Sequence, residues 1–128
     1  MKILALDHVT INLLKPEESY RFYETVLGLK KMRDVDMGDH VLHLYQLADV
    51  TLELISYKEP QQAVQAGNTD VGVYRHFAVV TDDLQAAFCR CVDAGYGVNL
   101  GPTFIAQIGK TIMLVKDPNG VEIEMVQG

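Results

Sequence analysis

The chain states one pattern twice. Its first half runs LDHVTINL, then the helix-like ESYRFYETVLG, then short strands ending in VTLELIS; its second half runs YRHFAVVT, then DDLQAAFCRCVDAG, then strands ending in GVEIEMV. An internal repeat of this kind makes each copy one supersecondary unit, and neither unit looks large enough to stand alone. Each copy opens with a His in its first strand, His8 and His76, and closes with a Glu in its last, Glu53 and Glu124. The His-to-Glu spacing is 45 residues in one copy and 48 in the other. A duplication that sets one imidazole and one carboxylate in equivalent places can gather all four across a pseudo-twofold axis. Two neutral His and two carboxylates suit a divalent transition metal.

The element pattern follows from the same residues. Residues 3–12 read as an apolar strand, and Lys15-Pro16-Glu17-Glu18 as a helix start, with Pro in the first turn and acids at the positive end of the dipole. Tyr20, Phe22, Tyr23, Val26 and Leu27 then fall mostly at helical spacing up to Gly28. Strands are predicted near 29–36, 40–47 and 50–56. Residues 58–72 read as a connection, with a short helix at Gln61–Ala66. The second copy predicts a strand over 73–80, a helix capped by Thr81 or Asp82 and ending at Gly95, and strands near 97–106, 109–115 and 121–126. Asp117-Pro118-Asn119-Gly120 is a tight turn before the last of these. The result is an α+β chain of two βαβββ modules, about 1–57 and 73–128, in one domain over 1–128.

Strand parity decides where the four residues point. Glu53 lies between Leu52 and Leu54, and Glu124 between Ile123 and Met125, so the opposite face is apolar and can pack under a helix. The His and Glu residues then share a face with Thr10, Thr51, Ala78 and Glu122. Inward-facing carboxylates are costly without a partner, and a cation or an open, water-filled cleft removes the difficulty. Parity does not choose between Glu122 and Glu124. His40 and His43 have opposite parity, so they do not form a shared ligand pair; His40, near a turn, is a minor candidate for substrate contact. Arg75, Lys110 and Lys116 are the cations that could meet an anionic substrate, although each reads first as surface charge. Phe104 and Ile105 read as core before they read as pocket wall.

Bulk properties bound the rest. Net charge is −6 and no run of Lys or Arg stands out, which argues against nucleic acid or an anionic membrane surface as partner. The apolar start of MKILALDHV ends too early for a secretory signal, and no run is long enough to span a bilayer. Cys89 and Cys91 are two apart, which on a helix puts them on different faces, as packing residues in a reducing compartment. A cytoplasmic location is expected.

On the residues LDHVTI, SYRFYETVLGLK, LELIS, YRHFAVVTDDL and DPNGVEIEM, the whole chain resembles the vicinal oxygen chelate superfamily, and within it the short, metal-dependent glyoxalase I and methylmalonyl-CoA epimerase branch. The resemblance implies paired βαβββ modules forming a cupped mixed sheet with helices packed outside. It implies a metal held by His8, Glu53, His76 and Glu124, the DPNGVEIE register selecting Glu124 over Glu122. It implies nickel or cobalt ahead of zinc, with water completing an octahedral shell, and a homodimer whose sites come from one chain or from two.

The implied chemistry is that of a glyoxalase I-like lyase or isomerase (lactoylglutathione lyase type), in which a proton moves next to a carbonyl through a metal-stabilised enediolate. Glu124 is the expected base and Glu53 its mirror partner, acting on the other face or returning the proton. The substrate is a small carbonyl compound or thioester, with a thiol as possible co-substrate. Glutathione-type members usually carry Arg four residues after the first His, where this chain has Asn12, and often Asn four after the second ligand, where it has Tyr57. Another thiol or another 2-oxo compound therefore stays open. The epimerase usually has Gln where this chain has Glu53. An extradiol dioxygenase needs only two His and one carboxylate. A metal-free drug-binding protein has no need of the four residues.

Overall fold

The computed structural model describes residues 1–67 and 69–128. The chain divides into two compact units, Met1–Gln62 and Ala63–Gly128, each a βαβββ module built on a four-stranded mixed sheet.

In the first unit β1 (His8–Asn12) leads into α1 (Pro16–Arg21), followed by β2 (Lys30–Asp36), β3 (His40–Leu47) and β4 (Val50–Tyr57). The sheet order is β1-β4-β3-β2, with β1 parallel to β4 and the other pairs antiparallel. The predicted single helix is two pieces, because α1 widens into a π-helical turn over Phe22–Val26, closed by Leu27 N–H donating to the Phe22 carbonyl at 3.0 Å. The wider turn lets the adjacent Phe22 and Tyr23, together with Val26, all enter the core, where the two rings meet edge to face. Beneath them the sheet offers Ile11, Tyr45, Leu52 and Leu54, all buried and all on the face opposite Glu53. Polar groups in this layer are satisfied. The His43 ring faces Asp34 through Nδ1 (2.8 Å) and Ser56 and the Tyr20 hydroxyl through Nε2 (2.8 and 2.9 Å), and Tyr45 donates to Glu24 at 2.7 Å. Burial first, then the Glu24 carboxylate, pushes the Tyr45 hydroxyl well above its ordinary value.

The predicted strand from residue 3 begins only at His8. Its parallel partner β4 starts at Val50, and the ladder opens with His8 opposite Thr51, so residues 3–6 have no strand to pair with. Ile3, Leu4 and Leu6 are exposed. The helix predicted at Gln61–Ala66 does not form. Asn68, inside the predicted connection, lies outside the described residues.

The second unit repeats the order with β5 (His76–Thr81), α2 (Leu84–Asp93), β6 (Val98–Ile105), β7 (Lys110–Lys116) and β8 (Glu122–Gln127), in sheet order β5-β8-β7-β6. The cap of α2 is Asp83, one or two residues past the predicted ones, and its side chain accepts from Ala86 N–H at 2.8 Å. Leu84 and Cys91, two turns apart, are buried against a sheet face carrying Met113, Val115, Ile123 and Met125. Asp83→Ala is expected to cost about 1 kcal/mol, the usual value of an N-cap, measurable by urea unfolding. Asp117 ties the turn before β8: its Oδ1 accepts from Asn119 N–H and Val121 N–H, both at 2.8 Å, while Gly120 takes φ +87°. That turn sets the register in which β8 presents its acids. Among the described residues no helix is long and apolar enough to cross a membrane.

Candidate metal centre

Each unit brings its own His and Glu into contact. In the parallel β1–β4 ladder His8 stands opposite Thr51, and Thr10 opposite Glu53. The two ligand candidates are thus diagonal neighbours on one face, and His8 Nε2 lies 2.9 Å from Glu53 Oε2. In the β5–β8 ladder His76 stands opposite Glu122 and Ala78 opposite Glu124, and His76 Nε2 again lies 2.9 Å from Glu124 Oε2. The repeat in sequence is therefore a repeat in atomic contact. Neither unit alone gathers three or more metal-binding side chains in a common cluster among the described residues; each provides a pair.

The pairs have the right chemistry for a hard-to-borderline divalent ion. Two ligands at right angles on such an ion, each bonded at about 2.1 Å, stand about 3 Å apart, which is the separation both units show. The other ring nitrogen is occupied in both. His8 Nδ1 faces Asp7 Oδ2 at 2.7 Å, and His76 Nδ1 faces Glu122 Oε1 at 3.0 Å. With an ion between Nε2 and the Glu oxygen, Nε2 would be the coordinating atom and Nδ1 would keep its hydrogen for the carboxylate it faces, since a carboxylate only accepts. The Asp7 hydrogen bond, and then the Glu53 charge, raise the His8 pKa above its ordinary value. For Glu122 burial pushes upward, but hydrogen bonds from His76, Asn99 and Arg75 outweigh it and hold the carboxyl below its usual range.

Parity left Glu122 and Glu124 equal; the ring nitrogens separate them. Glu122 takes Nδ1 and is buried, whereas Glu124 faces Nε2 and keeps partial exposure. The partners of Nδ1 were not legible as such, since Asp7 precedes the strand and Glu122 was a rival ligand. Arg75 is partly committed to another carboxylate: its Nε sits 3.4 Å from Glu122 Oε1, while half of its side chain stays exposed. Lys110 and Lys116 are exposed. Phe104 is not core, being 62% exposed, and Ile105 is only partly buried. His40 is held by Asp39 at 2.6 Å and lies against the Tyr57 ring, and His43 belongs to the helix-side layer.

Two βαβββ units, each with an imidazole and a carboxylate touching on its open face, define a class of paired-module proteins. The chain belongs to the Glyoxalase/Bleomycin resistance protein/Dioxygenase superfamily, whose family model matches residues 5–125. It is 27% identical over 138 residues to Glyoxalase I of Saccharomyces cerevisiae, covering 94% of this chain but 42% of that protein, so it spans less than half of that relative's length. It is 32% identical over 133 residues to a lactoylglutathione lyase of Neisseria meningitidis, covering 97% of this chain and 91% of the relative. Among solved structures, a glyoxylase/bleomycin resistance protein/dioxygenase domain from Frankia shares the fold, with a TM-score of 0.82, 15% identity and coverage of 99% of both chains.

Proposed function

We propose that the protein is a metal-dependent lyase or isomerase of the glyoxalase I type, with His8, Glu53, His76 and Glu124 holding one divalent transition-metal ion. The observation that carries this reading is the twice-made contact between His Nε2 and Glu Oε2 at 2.9 Å, in a chain whose relatives include proteins named lactoylglutathione lyase. The bound ion would act as a Lewis acid on the substrate's oxygens, where negative charge grows as the adjacent C–H is deprotonated.

Glu124 is the base in this reading. It takes the proton from the carbon beside the carbonyl and returns it to the neighbouring carbon. Its counterpart Glu53 is restrained: the Thr10 hydroxyl donates to Glu53 Oε2 at 3.0 Å. The equivalent residue beside Glu124 is Ala78, which has no hydroxyl to give. A carboxylate without that hydrogen bond is freer to turn toward a substrate proton. Substrate is a small 2-oxo compound joined to a thiol, and Asn12 and Tyr57 point away from glutathione as that thiol.

The test is metal content of gently purified protein. About one nickel or cobalt ion per chain, lost in a His8→Ala/His76→Ala double variant, is the expected outcome. Turnover of methylglyoxal with a panel of thiols then identifies the co-substrate. No ion, and none taken up on adding nickel, cobalt or zinc, would replace this reading with a metal-free binding module.

A further inference from the structure

We infer that Glu122 is a positioning residue: its buried carboxylate holds the Nδ1–H of His76 and so locks the ring with Nε2 turned toward Glu124, making the second unit's pair the more rigid of the two. The inference rests on the reading of His76 and Glu124 as metal ligands.

The two units reach the same arrangement from different chain positions. In register, Glu122 of the second unit corresponds to Thr51 of the first, because His76 stands opposite Glu122 and His8 opposite Thr51. The residue before each His is Arg75 in the second unit and Asp7 in the first. The acid stands before the His in the first unit and opposite it in the second, yet in both units one carboxylate oxygen falls on Nδ1. The fold itself does not demand an acid on β8 at this point, since Thr51 serves there in the other copy. What both copies retain is an anionic acceptor for the ring's second nitrogen.

Glu122 is also an expensive way to supply one. The side chain is 2% exposed, and a buried carboxylate is retained only when its oxygens are well supplied with donors. Arg75 Nε and His76 Nδ1 approach Oε1 at 3.4 and 3.0 Å, and Asn99 Nδ2 approaches Oε2 at 3.4 Å. Elements on three sides therefore fix this carboxylate: β5 and the residue before it, β6, and β8 itself. Asp7 has no such frame. It is 95% exposed, ahead of the first strand, and can swing away from His8. The His76 half is built in advance, while the His8 half is adjustable.

The experiment measures Co2+ affinity by chelator competition on the full chain, and the His76 Nδ1–H resonance in Zn2+-loaded, 15N-labelled protein. Glu122→Gln is expected to weaken Co2+ binding by about 10- to 100-fold, the usual cost of losing such a partner, and to shift or abolish the Nδ1–H resonance. Asp7→Asn should cost less than Glu122→Gln. If Glu122→Gln does not fold, an Arg75→Met/Glu122→Met variant removes both charges together and should show the same loss. Unchanged affinity and an unchanged His76 resonance would overturn the positioning role and leave the four-ligand reading intact. A larger loss from Asp7→Asn would overturn the assigned asymmetry. Wild-type protein that takes up no Co2+ would remove the metal reading, and this inference with it.

Discussion

Glu124→Gln is expected to retain its metal and lose its turnover, with kcat falling about 10²- to 10⁴-fold, the contribution of a well-placed general base. The amide keeps the size of the side chain and an oxygen for the ion, but has no lone pair basic enough to take a proton from carbon. Glu53→Gln should lower kcat less, because Thr10 already holds Glu53 with a hydrogen bond that Ala78 cannot give Glu124. Thr10→Val is the matching control: releasing Glu53 should make the two carboxylates more alike. Assaying each variant after confirming metal content separates loss of the base from loss of the ion. Near-normal turnover in Glu124→Gln would take the base role from this residue.

Phe22→Ala is expected to cost about 3–5 kcal/mol, a large part of the total stability of a domain this size. The ring is fully buried and meets Tyr23 edge to face with centroids 5.0 Å apart and planes at 89°. It also sits at the start of the π-helical turn, whose wider bore exists to admit two adjacent aromatics. Truncation leaves a cavity in the buried layer that also holds Leu52 and Leu54 of β4, the strand that carries Glu53. Thermal unfolding followed by circular dichroism gives the cost directly. Metal uptake at 25 °C should fall with it, since the first unit's ligands depend on that strand. A midpoint within a degree or two of wild type would show that the turn repacks.

Most of the fold was legible because its signals are local. The run VTLEL in β4 alternates, short apolar runs mark β3 and β7, and Gly28, Gly95 and the Asp117–Gly120 turn mark element ends. The errors fall where a partner decides. MKILAL is apolar enough for a strand, but the ladder offers it nothing to bond to before His8. Gln61–Ala66 has no cap and no apolar stripe. The π turn is invisible to a 3.6-residue period, since it exists to absorb the adjacent Phe22 and Tyr23. The His and Glu of each copy could be read from parity and repetition. Which acid meets which ring nitrogen could not, because Glu122 and Glu124 share a face and differ only in reach. Thr10 carried no signal as a partner of Glu53 until the β1–β4 register placed it there.

The parallel pairing of first and last strands has one more consequence. β1 lies beside β4 and β5 beside β8, so every intervening strand and helix of a module lies, along the chain, between the two candidate ligands of its pair. A cation gripped by both atoms is a clasp on a loop of more than forty residues, and closing such a loop removes freedom that an unravelled chain would otherwise regain. With such a clasp in place, neither end of the module could peel away without opening it. With the proposed ion bound, demetallation and fraying of the module would become one event, and a chelator would act on the protein as a denaturant acts.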